Sequence, residues 1–274
     1  MTTGIPMIIP TDIATIMTTD ALTPEQFQRL QTWFGTSFPI GAFSYSHGLE
    51  SAFESGLVTD RATLADWIEG LLLFGSARND AILFCAAHST FPDFAEVAEL
   101  SAAISPSMEL RAETLNQGEA FLKAVAQGWP NLCLNKIPDR GPDSVRDESR
   151  DQVAKRNVAP THRSAASDDA LSFGGSIALP VASGACCAAA SIPLKPALLA
   201  YLHGFAANIV SAALRSMPVG QSIGLSVQAS LESTVAVAVD QALIASLDEI
   251  GSATPMLDWL SATHETQYSR LFRS

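Results

Sequence analysis

Charge is scarce in this chain. Only 16% of its 274 residues are charged and only four are lysine, where an ordinary soluble domain carries about a quarter. What charge there is leans acidic, with 28 acidic residues against 16 basic and a net charge of -12. A phosphate backbone repels such a surface, which excludes nucleic acid as a partner. Cysteine is sparse too: Cys85, Cys133, Cys186 and Cys187 form no CxxC pair, so neither a disulfide framework nor a zinc knuckle is expected. Cys186 and Cys187 sit among Ala, Ser and Gly and read as small buried thiols in a reducing compartment. No Lys or Arg precedes Arg29, so the first residues lack the basic start of a secretory signal. The apolar run Ile177–Ile192 holds Pro180 and mostly small residues. It falls short of the roughly 20 strongly apolar residues a membrane span needs and reads as a tightly packed core helix. Strand pairs joined by hairpin turns and fixed-period repeats are also missing.

Helical punctuation and periodicity are present instead, on a chain that is 47% apolar, enough for a substantial core. Residues 1–22 read as a loose arm with Pro6, Pro10 and many threonines. Thr23-Pro24-Glu25 opens a helix, with Thr as cap, Pro in the first turn and an acid beside it. A loop over Gly35–Gly48 leads into a helix through Leu49–Ser55, which Gly56 ends. Leu64, Trp67, Ile68, Leu71 and Leu72 fall on one helical face, behind a cap at Thr59 or Asp60. That helix is expected to run near Arg78, with further helices over Asp80–His88, Phe91–Ile104, Met108–Leu122, Ser176–Ser191 and Pro196–Met217. Pro196–Met217 is apolar nearly all round and should be central. Val227–Ile250 reads as one long helix closed by Gly251, and Thr254-Pro255 starts a short terminal one. Residues 135–169 differ in kind, with seven basic and seven acidic residues, three prolines and few large apolar side chains. Such a segment cannot offset its ordering entropy and reads as a disordered, mobile insertion. The fold class is all-α: a compact domain over 23–274 with roughly ten helices, interrupted at 135–169.

The tools of catalysis are not legible. GxxxxGK[ST], GxGxxG after a strand and GxSxG are missing. His264-Glu265 begins like HExxH, but the fifth residue is Tyr268, so the second metal ligand is lost. Ser44, Ser46 and His47 lie close in sequence with Glu50 nearby, but adjacency supplies neither the geometry nor the oriented acid of a catalytic pair, and they read as helix-junction residues. His47, His88, His203 and His264 are scattered, and a lone His203 on an apolar helix reads as a core side chain. No catalytic residue, metal site or cofactor is expected.

The last eleven residues, His264 to Ser274, carry Tyr268, Arg270, Leu271, Phe272 and Arg273 in a stretch where chain ends are usually polar. Large apolar groups and arginines there suggest docking. The segment Trp33–Glu50 (WFGTSFPIGAFSYSHGLE) resembles the opening signature of the urease accessory protein family UreF. Val219-Gly220-Gln221, Gly251–Pro255 and the His264–Ser274 tail are similar to its later signatures, in the same order. The resemblance covers about Gln26 to Ser274, apart from 135–169.

It implies an all-α, cytoplasmic, homodimeric protein that is not an enzyme. Such a protein binds UreD (also called UreH) and the GTPase UreG in a complex with apo-urease, and supports nickel insertion without holding nickel at a fixed site. It further implies that Tyr268, Arg270, Leu271, Phe272 and Arg273 grip UreD, while Tyr45 and His47 contribute to a UreG-facing or dimer surface. Neither membrane nor nucleic acid is an expected partner. Two other readings stay open: a regulator of UreG GTP hydrolysis that supplies an arginine finger from Arg215 or the tail, and a stand-alone helical metal-binding protein.

Overall fold

In a computed structural model, residues 21–105, 108–132, 177–256, 259–260 and 272 are described. The arm before Ala21, the insertion at 135–169 and every tail candidate except Phe272 lie outside them. Among the described residues the structure is all helical, without strands.

The elements are α1 Pro24–Trp33, α2 Leu49–Glu54, α3 Arg61–Phe74, α4 Ser76–Thr90, α5 Ala95–Ala103, α6 Met108–Gly128, α7 Leu179–Ala189, α8 Leu194–Ser216, α9 Gln221–Ser230 and α10 Glu232–Ile244. Local chemistry sets several ends. Thr23 and Gln26 form a reciprocal capping box on α1, and Asp60 and Thr63 do the same on α3. Both satisfy amide groups that a helix start leaves orphaned.

The core is organised around α7 and α8. Helix α7 is packed between α4 and α6, and its small residues let the backbones approach. A Cβ on Gly184 would stand 2.5 Å from the Phe84 carbonyl oxygen, and one on Gly118 would stand 1.9 Å from that of Ile177. Cys186 and Cys187 are fully buried in this helix. Burial pushes the Cys85 thiol up to about 12 and raises both of its α7 counterparts, so these are inert packing groups.

Helix α8 touches α1, α2, α3, α4, α7, α9 and α10. It is the hub the apolar pattern implies, yet not buried all round: Leu199 is 44% exposed and His203 lies at the surface, where its Nε2 meets the Gln228 amide at 3.1 Å. His203 is therefore not a core side chain.

Other boundaries differ from the sequence reading. The expected break near Arg78 falls at Gly75, whose extended backbone separates α3 from α4. The helix expected from Phe91 begins at Ala95, because the chain turns at Pro92-Asp93, where the Asp93 amide donates to Thr90 O at 2.7 Å. Helix α6 continues past Leu122 to Gly128. The single long helix expected over Val227–Ile250 is two, α9 and α10, bent by 41°. At Leu231 the amide is shared between the Val227 and Gln228 carbonyls, 3.2 Å from each, while its side chain is pinned in the core at 2% exposure. The Ser230 hydroxyl also donates back to Val227 O at 2.7 Å, so the bend falls where a shared amide and a back-bonded serine interrupt the ladder, with no Pro or Gly there.

Two helical stretches, 61–90 and Leu194–Ser216, are long and apolar enough to cross a membrane by length and composition. In each, 56% of the apolar window is buried against the rest of the protein, which accounts for its hydropathy as core.

Candidate functional site

The segment between α1 and α2 is a loop whose backbone is unusual for a reason. Gly41 and Gly48 take positive φ of 75° and 74°, and His47 between them takes 51°. The glycines adopt this conformation freely and a histidine does so at a cost. The strained position aims the His47 ring inward. Its Nε2 lies 3.2 Å from Glu113 Oε1 on α6, and its ring packs edge-on to Phe205 of α8 at 4.9 Å between centroids.

Glu113 is itself buried and accepts a 2.9 Å hydrogen bond from the Gln117 amide one turn along α6. On the neighbouring side, the Tyr201 hydroxyl of α8 donates to Asp80 Oδ2 of α4 at 2.9 Å. Burial works against a charged imidazole at His47. The Glu113 charge and hydrogen bond, with Asp80 adding, outweigh it and hold His47 above its ordinary value of 6.5. Burial pushes Asp80 up to about 7, against the Tyr201 hydrogen bond and the His47 charge. Burial, then the adjoining Asp80, raises the Tyr201 hydroxyl well above its ordinary value.

This polar set lines interior space. His47, Asp80, Glu113 and Tyr201 border a cavity of ≈ 390 Å³. A smaller one of ≈ 50 Å³ shares His47, Glu113, Gln117, Leu179, Tyr201 and Phe205 with it. His47 Nδ1 and Ser76 Oγ, both on the larger cavity, are buried without a hydrogen-bond partner. Polar atoms left so are costly unless something polar visits them. Among the described residues, no three His, Cys, Asp or Glu side chains are grouped to hold a metal ion.

A second cluster joins this loop to the end of the chain. Phe272 is 4% exposed, and its amide donates to Glu50 Oε2 of α2 at 3.1 Å. The Arg215 guanidinium stacks over the Phe272 ring, 4.7 Å from its centroid, and donates to the carbonyl oxygen of Phe43. Arg215 Nε also bonds Ser211 O at 3.1 Å. Desolvation lowers its proton affinity somewhat below that of a free guanidinium. Phe272 and the 41–50 segment, separated by more than two hundred residues, thus meet at the C-terminal end of α8.

Of the residues singled out in sequence, Tyr45 is buried and His47 half-buried, while Phe43 beside them is 67% exposed. Phe272 is buried against Glu50 and Arg215, and Tyr268, Arg270, Leu271 and Arg273 are outside the described residues. Sequence reasoning passed over Glu113, Asp80 and Tyr201. A signal existed for Glu113: with Gln117 and Phe121 it repeats every fourth residue on a buried helix face, where a carboxylate is out of place.

Comparison with known proteins bears directly on this arrangement. The family model described as UreF matches residues 58–232. A "Urease accessory protein UreF" of Methylorubrum populi is 40% identical over 251 residues, covering 90% of this chain and 98% of the relative. A protein of the same description from Rhodopseudomonas palustris is 38% identical, covering 90% and 92%. One from Magnetococcus marinus is 37% identical, covering 90% and 96%.

Proposed function

Since this chain belongs to the UreF family of urease accessory proteins, we propose that it is a non-catalytic cytoplasmic scaffold of urease maturation. In this reading it binds UreD (UreH) and the GTPase UreG, acts as a homodimer, and supports nickel insertion into apo-urease. The observation that carries the partner reading is the meeting of Phe272, Glu50, Arg215 and the 41–50 loop at one place. Phe272 serves as an intramolecular anchor, and Tyr268, Arg270, Leu271 and Arg273 engage UreD around it. Arginine pairs bidentately with carboxylates, and tyrosine adds rigid apolar area at low entropy cost. Tyr45 and His47 act from below, by fixing a loop that presents Phe43 to UreG.

Nickel is cargo in this account. The adjoining cavities around His47 and Glu113 support an internal route. Control of UreG GTP hydrolysis through Arg215 has less support, because its guanidinium already serves Phe43, Ser211 and Phe272. An Arg215→Ala chain that leaves UreG hydrolysis unchanged removes Arg215 as the finger, and the same result with Arg270→Ala and Arg273→Ala removes the alternative. The main test is UreD affinity after deletion of Tyr268–Ser274. Loss of tenfold or more is expected, and unchanged affinity defeats the docking reading.

A further inference from the structure

The span from Gly41 to Gly48 is free to pivot at both ends. Its terminal glycines take positive φ of 75° and 74°, and glycine changes φ without the steric cost other residues meet. A Cβ at Gly41 would meet nothing within 4 Å. Gly41, Ala42 and Ser44 are only half-buried and Phe43 is exposed, while Tyr45 and Ser46 point inward. Beyond Gly48 the chain is fixed, because Leu49 and Ala52 of α2 are wholly buried. His47 stands between the pivots at φ 51°, a conformation that a histidine keeps only where its surroundings over-determine it.

Those surroundings are charged. His47 Nε2 lies 3.2 Å from Glu113 Oε1 of α6. Asp80 from α4 and the Tyr201 hydroxyl from α8 border the same space, where α7 brings only Leu179 and Pro180. Glu50 of α2 turns its carboxylate to the Phe272 amide, and Arg215 of α8 serves the Phe43 carbonyl. Among the described residues lining the two cavities, His47 is the only base.

We propose that His47 is a proton-dependent latch on the 41–48 span: the imidazolium clasped by Glu113 holds the span closed, and loss of that proton releases it about the two glycines. A neutral ring keeps at most one hydrogen bond to Glu113, whose buried carboxylate then loses the cation facing it. A buried carboxylate without an opposite charge favours water, and the adjoining ≈ 390 Å³ is ample for it. The strain at His47 favours release as well. Burial works against the charged ring, and Glu113 with Asp80 outweighs it, so the proton leaves only above pH 6.5. The latch is closed below that value and opens as pH rises. That an open span presents Phe43 differently to UreG rests on the reading above; the latch does not, and its test needs this chain alone.

The test is hydrogen exchange of the full-length chain from about pH 6 to about pH 9, read as protection factors so that intrinsic exchange rates cancel. The Ser44 and Tyr45 amides, bonded to Gly41 O and Ala42 O at 3.1 and 3.2 Å, should lose about tenfold in protection across that range while the α7 amides keep theirs. Glu113→Gln should give the low value at both ends of the range. Asp80→Asn, which removes a carboxylate favouring the charged ring, should move the fall to lower pH. Should Glu113→Gln fail to fold, His47→Gln gives the same readout. Constant protection in the parent chain, an equal loss in α7, or a fall that survives substitution at 113 or 47 overturns the proposal.

Discussion

His47 and Asp80 show how single residues couple the interior to pH. A raised Asp80 value means the folded chain keeps a proton that the unfolded chain releases above its ordinary value of 3.8. Asp80 therefore contributes stability that is complete below that value and is lost as pH climbs through about 7. His47 acts in the same direction: its partner-dependent stability is complete below 6.5 and lost as pH passes its raised folded value. Asp80→Asn should flatten the decline in Tm between pH 5 and 8 relative to the parent chain. Parallel profiles for the two proteins contradict the assignment. The Arg215–Phe272 contact makes a second prediction at this scale. A thermal-unfolding cycle of Arg215→Met and Phe272→Leu should return a coupling of about 0.5–1 kcal/mol, the usual strength of a cation–aromatic contact whose cation stays exposed to water. Strictly additive changes would show that the stacking carries no energy. Neither pairing was legible beforehand. Glu113 and Asp80 meet His47 from helices 30 or more residues away, and no local pattern records that distance.

Among the elements, α7 is where sequence and structure agree best and where a substitution is most diagnostic. Its run of Ala, Ser, Gly and Cys announces close helix packing, and the glycines Gly184 and Gly118 are the contact points with α4 and Ile177. Gly118→Ala sets two effects in opposition. Helix propensity favours alanine by about 1 kcal/mol. A Cβ 1.9 Å from the Ile177 backbone oxygen cannot be relieved by a rotamer change, and overpacking costs about 1–3 kcal/mol. The clash wins, so Tm should fall, or the chain should fail to accumulate in soluble form. A higher Tm would mean that α6 and Ile177 are not packed this closely. The caps at Thr23 and at Thr59 or Asp60 were readable because their chemistry is local, and the structure resolves the second as Asp60. The bend at Leu231 was not readable, because the surrounding Val/Ala pattern supports a continuous helix and no Pro or Gly marks the break.

For the whole molecule, the all-helical class followed from periodicity and from missing turn signals, and the helices of the described residues meet that expectation. Family membership rested on four short segments in fixed order, and the match over 90% of the chain agrees with them. What sequence could not supply was a spatial contact between two of those segments: Phe272 meets the 41–50 loop through Glu50 and Arg215. The most direct measurement is co-purification of the tagged chain with UreD, UreG and apo-urease, with and without Tyr268–Ser274. The account predicts that the full chain retains all three and the shortened chain loses UreD and apo-urease with it. Retention of none by the full chain, or equal retention by both, would contradict the proposed role.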